Sequence, residues 1–415
     1  MNILVLGAGV IGVTTAYELV RDGHEVTVIE RNDGPAQETS FGNAGLIAPG
    51  HAFAWASPKV PMILLRSLFR NDQAFRLRLK ADLEFWKWTA RFIGQCTRGR
   101  AHENSLRKHR LCAYSQQRLH EVVASNAVEY DQITDGLLYL FRSQQTLDRG
   151  VEHMQLLVED GQQRDVLDRN QVVALDPAYA ASKDRIAGAV YCPTDESGDS
   201  HLFTVNLARA CAERGVKFEY GTTIERFDIS ANKIRSVQTD RGAFTADTIV
   251  LALGPYSAEL VRPLGIRLSI YPVKGYSVTM PSDQRHTAPR LGAVDEDNLV
   301  AYVRLGQRLR VTATAEFAGY DMTHRPQDFI TMLKAVRNLL PEGGDYDTLD
   351  YWSCLRPMTP HGTPFFGPTE YPNLFVNTGH GHMGWTMACG SARITADLIA
   401  GRNPDIDLTG LRYKN

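Results

Sequence analysis

Three groups of residues in this 415-residue chain have types and spacings suited to chemistry. The first is Gly7-Ala-Gly9-Val10-Ile11-Gly12, followed at a distance by Glu30 and Arg31. Gly7 allows a tight turn, Gly9 lets the backbone approach a pyrophosphate, and Gly12 lets a helix pack closely on a strand. Glu30 can accept hydrogen bonds from a ribose diol and would repel a ribose phosphate. That is the chemistry of binding a dinucleotide, NAD or FAD. The second group is Thr378-Gly379-His380-Gly381-His382-Met383-Gly384, running into Trp385 and Thr386. It is a second glycine cradle at a helix start, where unpaired N–H groups stabilise negative charge. A flavin becomes anionic at its pyrimidine end on taking up a hydride, whereas a nicotinamide needs no second cradle. Two cradles in one chain therefore point to FAD. The third is Arg356, in the Pro-bounded apolar turn LRPMTPHG with no acid beside it. A guanidinium so placed can grip a carboxylate in two-point fashion.

The elements that must position these residues follow from periodicity. Residues 3–6 read as a buried parallel strand, Val13 to Arg21 as a helix and Glu25 to Glu30 as a second strand, which makes a βαβ unit. The Gly-, Pro- and Ser-rich stretch after Glu30 is too apolar for disorder and reads as an ordered functional loop. From about Met62 to Ser125 the pattern is helical. Within it Leu83, Phe85, Trp86, Trp88, Phe92 and Ile93 form an aromatic stripe, read as interface packing, with peripheral membrane docking as the alternative. Strands are expected at 136–141, 187–192, 216–220 and 246–253, the last stopping at Gly254-Pro255, with helices at 144–160, 203–214 and 326–340. Residues 268–280 and 298–315 alternate as antiparallel strands do. The nucleotide-binding signals are thus split by a β-rich insert. We expect an FAD-binding domain from 1–58, 200–266 and 352–415, and a substrate-binding domain from 59–199 and 267–351.

Composition narrows the function classes. A net charge of −2 and a hydrophobic fraction of 43% describe a globular protein with no electrostatic case for nucleic acid. The six cysteines show no metal-ligand spacing and read as reduced thiols, and no metal is expected. No leader pattern precedes the first strand and no run is long enough to span a membrane, so a cytoplasmic place, or one against the inner face of the plasma membrane, is expected.

The segments SFGNAGLIAPG (40–50), PTDESGD (193–199), VLALGPYS (250–257), YPVKGYSVT (271–279), LRPMTPHGTP (355–364) and NTGHGHMGWTMACGS (377–391) resemble the D-amino-acid oxidase superfamily of flavoproteins over the whole chain. The similarity is greatest to its bacterial D-amino-acid dehydrogenase branch. The resemblance implies an α/β fold: a Rossmann-type FAD domain of the glutathione-reductase-like kind, beside a discontinuous α+β substrate domain on a mainly antiparallel sheet. It implies that Gly7, Gly9, Val10, Ile11, Gly12, Glu30 and Arg31 hold the ADP half of FAD, with Ile224 and Gly254 beside them. Ser40, Asn43, Ala44, Gly45 and Leu46 would line the isoalloxazine ring, and Gly381, His382, Met383, Gly384, Trp385 and Thr386 its pyrimidine edge. Arg356 would bind the substrate carboxylate, next to the flavin.

The implied reaction is oxidation of a D-amino acid to an imino acid by hydride transfer to the flavin, with electrons leaving to a non-oxygen acceptor such as a quinone or another respiratory-chain component. His51, Tyr276, Lys274, Arg304 and His382 are further candidates for substrate contact, each with ordinary packing as the other reading. The sequence departs from the family pattern at His361, at His382-Met383, at Ser200-His201 and in VTATAE (311–316), which lacks the usual glycines. These changes suggest a substrate range shifted toward D-proline or a hydroxyproline isomer, giving a cyclic imine. An O₂-using oxidase, and a non-catalytic flavin subunit of a membrane-linked complex, are the remaining alternatives.

Overall fold

A computed structural model of the chain describes residues 1–62, 75–77 and 82–413. The nucleotide layer is a six-stranded sheet in the order Phe365–Pro368, Leu374–Thr378, Thr248–Leu251, Asn2–Leu6, Glu25–Ile29 and Lys217–Glu219. All but the first of these run parallel, as βαβ crossovers demand. Because the sheet is covered on both sides, the interior positions of its central strands are mostly apolar on both faces. Ile3, Val5, Val26, Val28 and Val250 pack against the helices Val10–Arg21 and Ser200–Glu213. Leu4, Leu6, Ile29, Ile249 and Leu251 face the other way, onto Phe227, Ile234 and Val237 of a three-stranded antiparallel sheet.

The second large sheet has nine strands. Its main path runs Asp350–Met358, Tyr271–Pro281, Arg308–Phe317, Val300–Leu305, Gly292–Asp295, Leu137–Phe141, Gly188–Cys192 and Asp165–Asp168, and Phe75–Leu77 pairs with Arg308–Phe317 off that path. One face carries Val278, Met280, Tyr302, Leu309 and Val311 and buries them under the helix Ile330–Leu339. The opposite face looks toward the nucleotide layer. Strand Asp350–Met358 belongs wholly to this sheet, so the expected boundary at 352 cuts through a strand. The pairing of Tyr271–Pro281 with Arg308–Phe317 slips between Gly275 and Tyr276, and Thr314 is the extra residue of the resulting bulge.

The helix Arg98–Asn126 ties the layers together. Leu111 and Cys112 pack under the nine-stranded sheet, while Leu119 and Val122 reach the nucleotide core. It crosses the C-terminal helix Gly384–Ile399 at Gly390, where a Cβ would stand 2.8 Å from Ser115 Cα and the Gly390 N–H donates to Ser115 Oγ at 2.9 Å. Any larger side chain there would force the helices apart, at a cost of about 1–3 kcal/mol.

The helical reading of Met62 to Ser125 holds for Leu83–Gln95 and Arg98–Asn126 but not for Phe75–Leu77, a strand; its remainder at 63–74 and 78–81 lies outside the described residues. Helix Leu83–Gln95 starts at Asp82, whose carboxylate accepts the Glu84 and Phe85 N–H groups. Phe85, Trp88 and Phe92 are buried, and Trp88 Nε1 donates to Met358 O at 2.9 Å. Leu83, Trp86 and Ile93 are exposed at 66%, 50% and 48%, so the aromatic stripe splits into a core face and an uncovered one. Among the described residues no helix is long and apolar enough to cross a membrane.

Candidate active site

Two cavities meet between the layers. The first, of about 440 Å³, runs along the ends of the parallel strands over Gly7, Gly9, Val10, Ile11, Glu30 and Arg31, past Ser40, Ile224 and Gly254. It ends at His380, Gly381, Gly384 and Trp385. Gly7 has φ +102°, and a Cβ there would meet Ala252 O at 2.8 Å. A Cβ on Gly12 would come within 1.8 Å of Gly7 O, so this crossing accepts only glycine. Above Gly9, by contrast, a Cβ would meet only Ser40 Oγ at 3.6 Å, which leaves the helix N-terminus open to a ligand. Ser40 Oγ accepts the Val10 N–H at 3.1 Å, which fixes the loop after Glu30 against that helix.

Glu30 is held in place by the Ala8 and Asn32 N–H groups at 2.8 and 3.0 Å, and its oxygens keep acceptor capacity for hydroxyls. The Arg31 guanidinium lies 4.2 Å over the Tyr256 ring and pairs with Glu38. Within the groove Trp385 Nε1 and Asn377 Oδ1 are buried without a hydrogen-bond partner. A dinucleotide supplies what these groups ask for: phosphates at an uncapped helix end, a diol at Glu30 and polar atoms for the orphaned pair. The residues present therefore fit FAD.

The second cavity, of about 420 Å³, joins the first at Thr39, Asn43 and Gly381. Asn43, Ala44 and Leu46 line one wall, and His382, Met383 and Thr386 another. Thr386 Oγ1 accepts the Ala48 N–H and donates to Leu46 O, both at 3.2 Å, so the two segments form one unit. Gly45 (φ +78°) packs away from the cavity, against Val303 and Gly198. The sheet supplies the floor: Gly275, Ala301, Thr312, Ala313 and Thr314, with Arg356 rising from Asp350–Met358.

Arg356 lies across Gly275, where a Cβ would come within 2.6 Å of its Cζ. One N–H donates to Thr314 O at 2.8 Å. That carbonyl is available because Thr314 sits in the left-handed region at φ +62°, an unusual conformation for a β-branched residue. The missing glycines of VTATAE thus leave a threonine at the turn that presents this acceptor. Among the described residues Arg356 makes no ion pair, and burial pulls its pKa below the usual arginine value. A lone guanidinium in a cavity calls for an anion.

The remaining candidates separate. His51 lines the cavity, with Nε2 2.8 Å from Glu296 Oε1 and its ring stacked 4.9 Å from Tyr139. Its pKa is lowered by burial and more than restored by Glu296, so it ends above the ordinary histidine value. His382 stacks 4.6 Å from Trp55 with Nε2 3.4 Å from Lys108 Nζ, and burial beside that cation keeps it neutral. Tyr276 contributes to the wall, but its hydroxyl donates to Glu316, which also pairs with Lys274 at 3.7 Å. Both side chains are thereby committed to a buried cluster. Arg304 is exposed, gives its Nε–H to Gly306 O at 3.0 Å and stands outside both cavities. Strand parity is the reason: Ala301 and Thr312 face the cavity, and Arg304 lies an odd number of residues further along.

Three residues not singled out in the sequence prove important. Arg310, buried on Arg308–Phe317, donates to Phe41 O at 2.9 Å and to Asn43 O at 3.4 Å, which clamps the loop under the cavity. Its strand also carries Arg308, Thr312, Thr314 and Glu316, so ordinary polar alternation hid it. Lys108 is fully buried, donates to Phe53 O at 2.9 Å and has its pKa pushed down to about 8 by desolvation. Glu296, just past Gly292–Asp295, had no local signal at all.

Residues 2–398 match the family model for FAD dependent oxidoreductases, DAO. The chain is 48% identical over 414 residues to D-amino acid dehydrogenase 2 of Mesorhizobium japonicum, covering 100% of each. It is 44% identical to D-amino acid dehydrogenase of Granulibacter bethesdensis, covering 98% of this chain and 97% of the relative. Among solved structures, glycine oxidase from Geobacillus kaustophilus superposes with a TM-score of 0.75 at 22% identity, over 100% of this chain and 98% of that one. L-proline dehydrogenase from P. horikoshii gives 0.72 at 18% identity, over 97% and 94%. At such identities the structural likeness speaks for the fold. Together with the match along nearly the whole sequence and the fingerprint groove, it leads to one conclusion: the chain belongs to the DAO family of FAD dependent oxidoreductases.

Proposed function

We propose that this protein is an FAD-dependent dehydrogenase of D-amino acids, and that the cavity over Gly275 is its substrate site. The observation that carries the reading is the unpaired Arg356 guanidinium in a cavity continuous with the dinucleotide groove. The full-length relatives called D-amino acid dehydrogenase support the substrate class. Gly7, Gly9, Gly12 and Glu30 would hold the ADP half of FAD, Asn43, Ala44 and Leu46 one side of its ring system, and the turn Gly381–Met383 its pyrimidine edge.

The chemistry supplied by bound FAD is acceptance of the substrate α-hydrogen as a hydride, with the electrons passed on to a non-oxygen acceptor of the quinone class. The chain's own part is largely positional. Arg356 fixes the α-carboxylate by two parallel N–H···O bonds. The Thr312–Thr314 floor sets the α-carbon, and Phe53, Trp55 and Met383 keep water from the reacting face. The uncapped start of Gly384–Ile399 favours negative charge developing beside it. His382 and Lys108 add a neutral ring backed by a buried cation on the same side. The substrate amine reacts in its neutral form, so rates rise with pH through the amine pKa. The resulting imino acid hydrolyses in water, or persists as a cyclic imine when the amine is secondary. The exposed face Leu83, Trp86 and Ile93, flanked by Lys87 and Arg91, is suited to peripheral docking near a lipid-soluble acceptor.

Turnover of matched D and L amino acids with a soluble quinone, against oxygen uptake, tests the reading. Quinone-dependent turnover of D isomers alone is expected. Turnover that needs oxygen would make the protein an oxidase, and turnover of L isomers would remove the D-amino-acid assignment.

A further inference from the structure

The substrate cavity has a second polar end. Across the sheet, Thr312 pairs with Ala301 and Ala301 with Val294. Beyond these pairs lie the bulge residue Thr314 and the hairpin residues Leu299 and Glu296, and all three line the cavity. Thr314 O holds Arg356, so the guanidinium and Glu296 face one cavity from different strands of the sheet. A substrate whose α-carboxylate is held by Arg356 therefore leaves its side chain to meet Glu296.

The Glu296 end is a built site. Its partner His51 stands on a platform in which buried Asp195 accepts the Gly50 N–H at 2.9 Å and the Tyr139 hydroxyl at 2.6 Å. A Cβ on Gly50 would meet Asp195 Oδ2 at 2.6 Å and Cys192 Sγ at 2.7 Å, so the loop is seated without slack. The imidazole then stacks on Tyr139 and reaches Glu296. An imidazolium–carboxylate pair is neutral as a whole, and the Lys108 ammonium lies nearby, at Phe53 O. A cationic side chain gains little there, and an anionic one meets Glu296. A hydroxyl both donates to the carboxylate and accepts from the ring.

We propose that the His51–Glu296 pair is a specificity subsite for a hydroxyl on the substrate side chain, so that this enzyme prefers hydroxylated D-amino or D-imino acids to their plain counterparts. The proposal rests on the D-amino-acid reading above and names the substrate class within it. His51 is then a recognition residue, not a base.

The test compares kcat/KM for 4-hydroxy-D-proline, as separate cis and trans isomers, with kcat/KM for D-proline, in the wild-type holoenzyme and in Glu296→Leu and Glu296→Gln. One hydroxylated isomer should exceed D-proline by at least about tenfold in the wild type, since a site built for a hydroxyl rejects the analogue lacking it. That ratio should fall about 10–100-fold in Glu296→Leu and less in Glu296→Gln, which keeps an acceptor. Flavin content checks that each variant is folded, and should Glu296→Leu not fold, Glu296→Gln alone must still lower the ratio. Equal use of plain and hydroxylated substrates by the wild type, or a ratio unmoved by both variants, overturns the subsite and leaves the D-amino-acid reading standing. Turnover of none of these substrates, nor of any other D-amino acid, overturns both.

Discussion

Replacing Arg356 by leucine separates a substrate grip from a structural role. In the fold this guanidinium commits one N–H to Thr314 O and has no acidic partner among the described residues. A carboxylate held by its fork gains two charge-assisted bonds of about 1.5–3 kcal/mol each. Allowing for their not adding fully, Arg356→Leu should lose about 3–5 kcal/mol of substrate and transition-state binding, or roughly 10²–10⁴-fold in kcat/KM. Lysine keeps the charge and loses the two-point geometry, so Arg356→Lys should cost about 10–100-fold, mostly in KM. Stability should move the other way. Burying an unpaired cation is costly, so Arg356→Leu should leave the unfolding free energy unchanged or raise it by about 1 kcal/mol. Steady-state kinetics, flavin absorbance and urea unfolding on the same preparations decide the matter. A variant that unfolds earlier and loses flavin while keeping its KM would refute the grip and make Arg356 structural.

Three further outcomes are expected. Gly275→Ala should raise KM by about tenfold or more with flavin content intact, because its Cβ would meet Arg356 Cζ at 2.6 Å; an unchanged KM would show that the guanidinium does not lie there during turnover. Glu30→Ala should weaken FAD about 10–100-fold in a reconstitution titration, and unaltered affinity would take Glu30 off the ribose. His380 is buried and held neutral at about 3, against 6.5 for an unstrained ring. Below pH 6.5 the unfolded chain therefore binds a proton that the folded chain does not, and the stability present above pH 6.5 is lost at up to about 1.4 kcal/mol per pH unit. His380→Gln should remove that share of the slope in urea unfolding between pH 7 and pH 5, and identical slopes would refute the buried neutral ring.

The contrast between what could be read from the residues and what needed the fold follows the range of the contacts involved. The Gly7–Gly12 turn, its strand and Glu30 are neighbours along the chain, so their spacing carries their geometry. The same holds for the turn Gly381–Met383 before Gly384–Ile399. Arg356 was legible because its own neighbours are apolar. Tyr276 and Arg304 were not, since a strand residue's face depends on register and on the bulge at Thr314, which no local pattern announces. His51 and Glu296 meet only through a loop seated on Asp195 and a strand end far along the chain. Arg310 and Lys108 were masked by ordinary alternation and by a long charged helix.

Anaerobic stopped-flow mixing of the yellow holoenzyme with matched D and L amino acids tests the central claim most directly. Rapid loss of flavin absorbance with D isomers alone, slowed at least about 100-fold by Arg356→Leu, is the expected result. Bleaching by neither isomer with flavin bound, or bleaching that ignores Arg356, would contradict it.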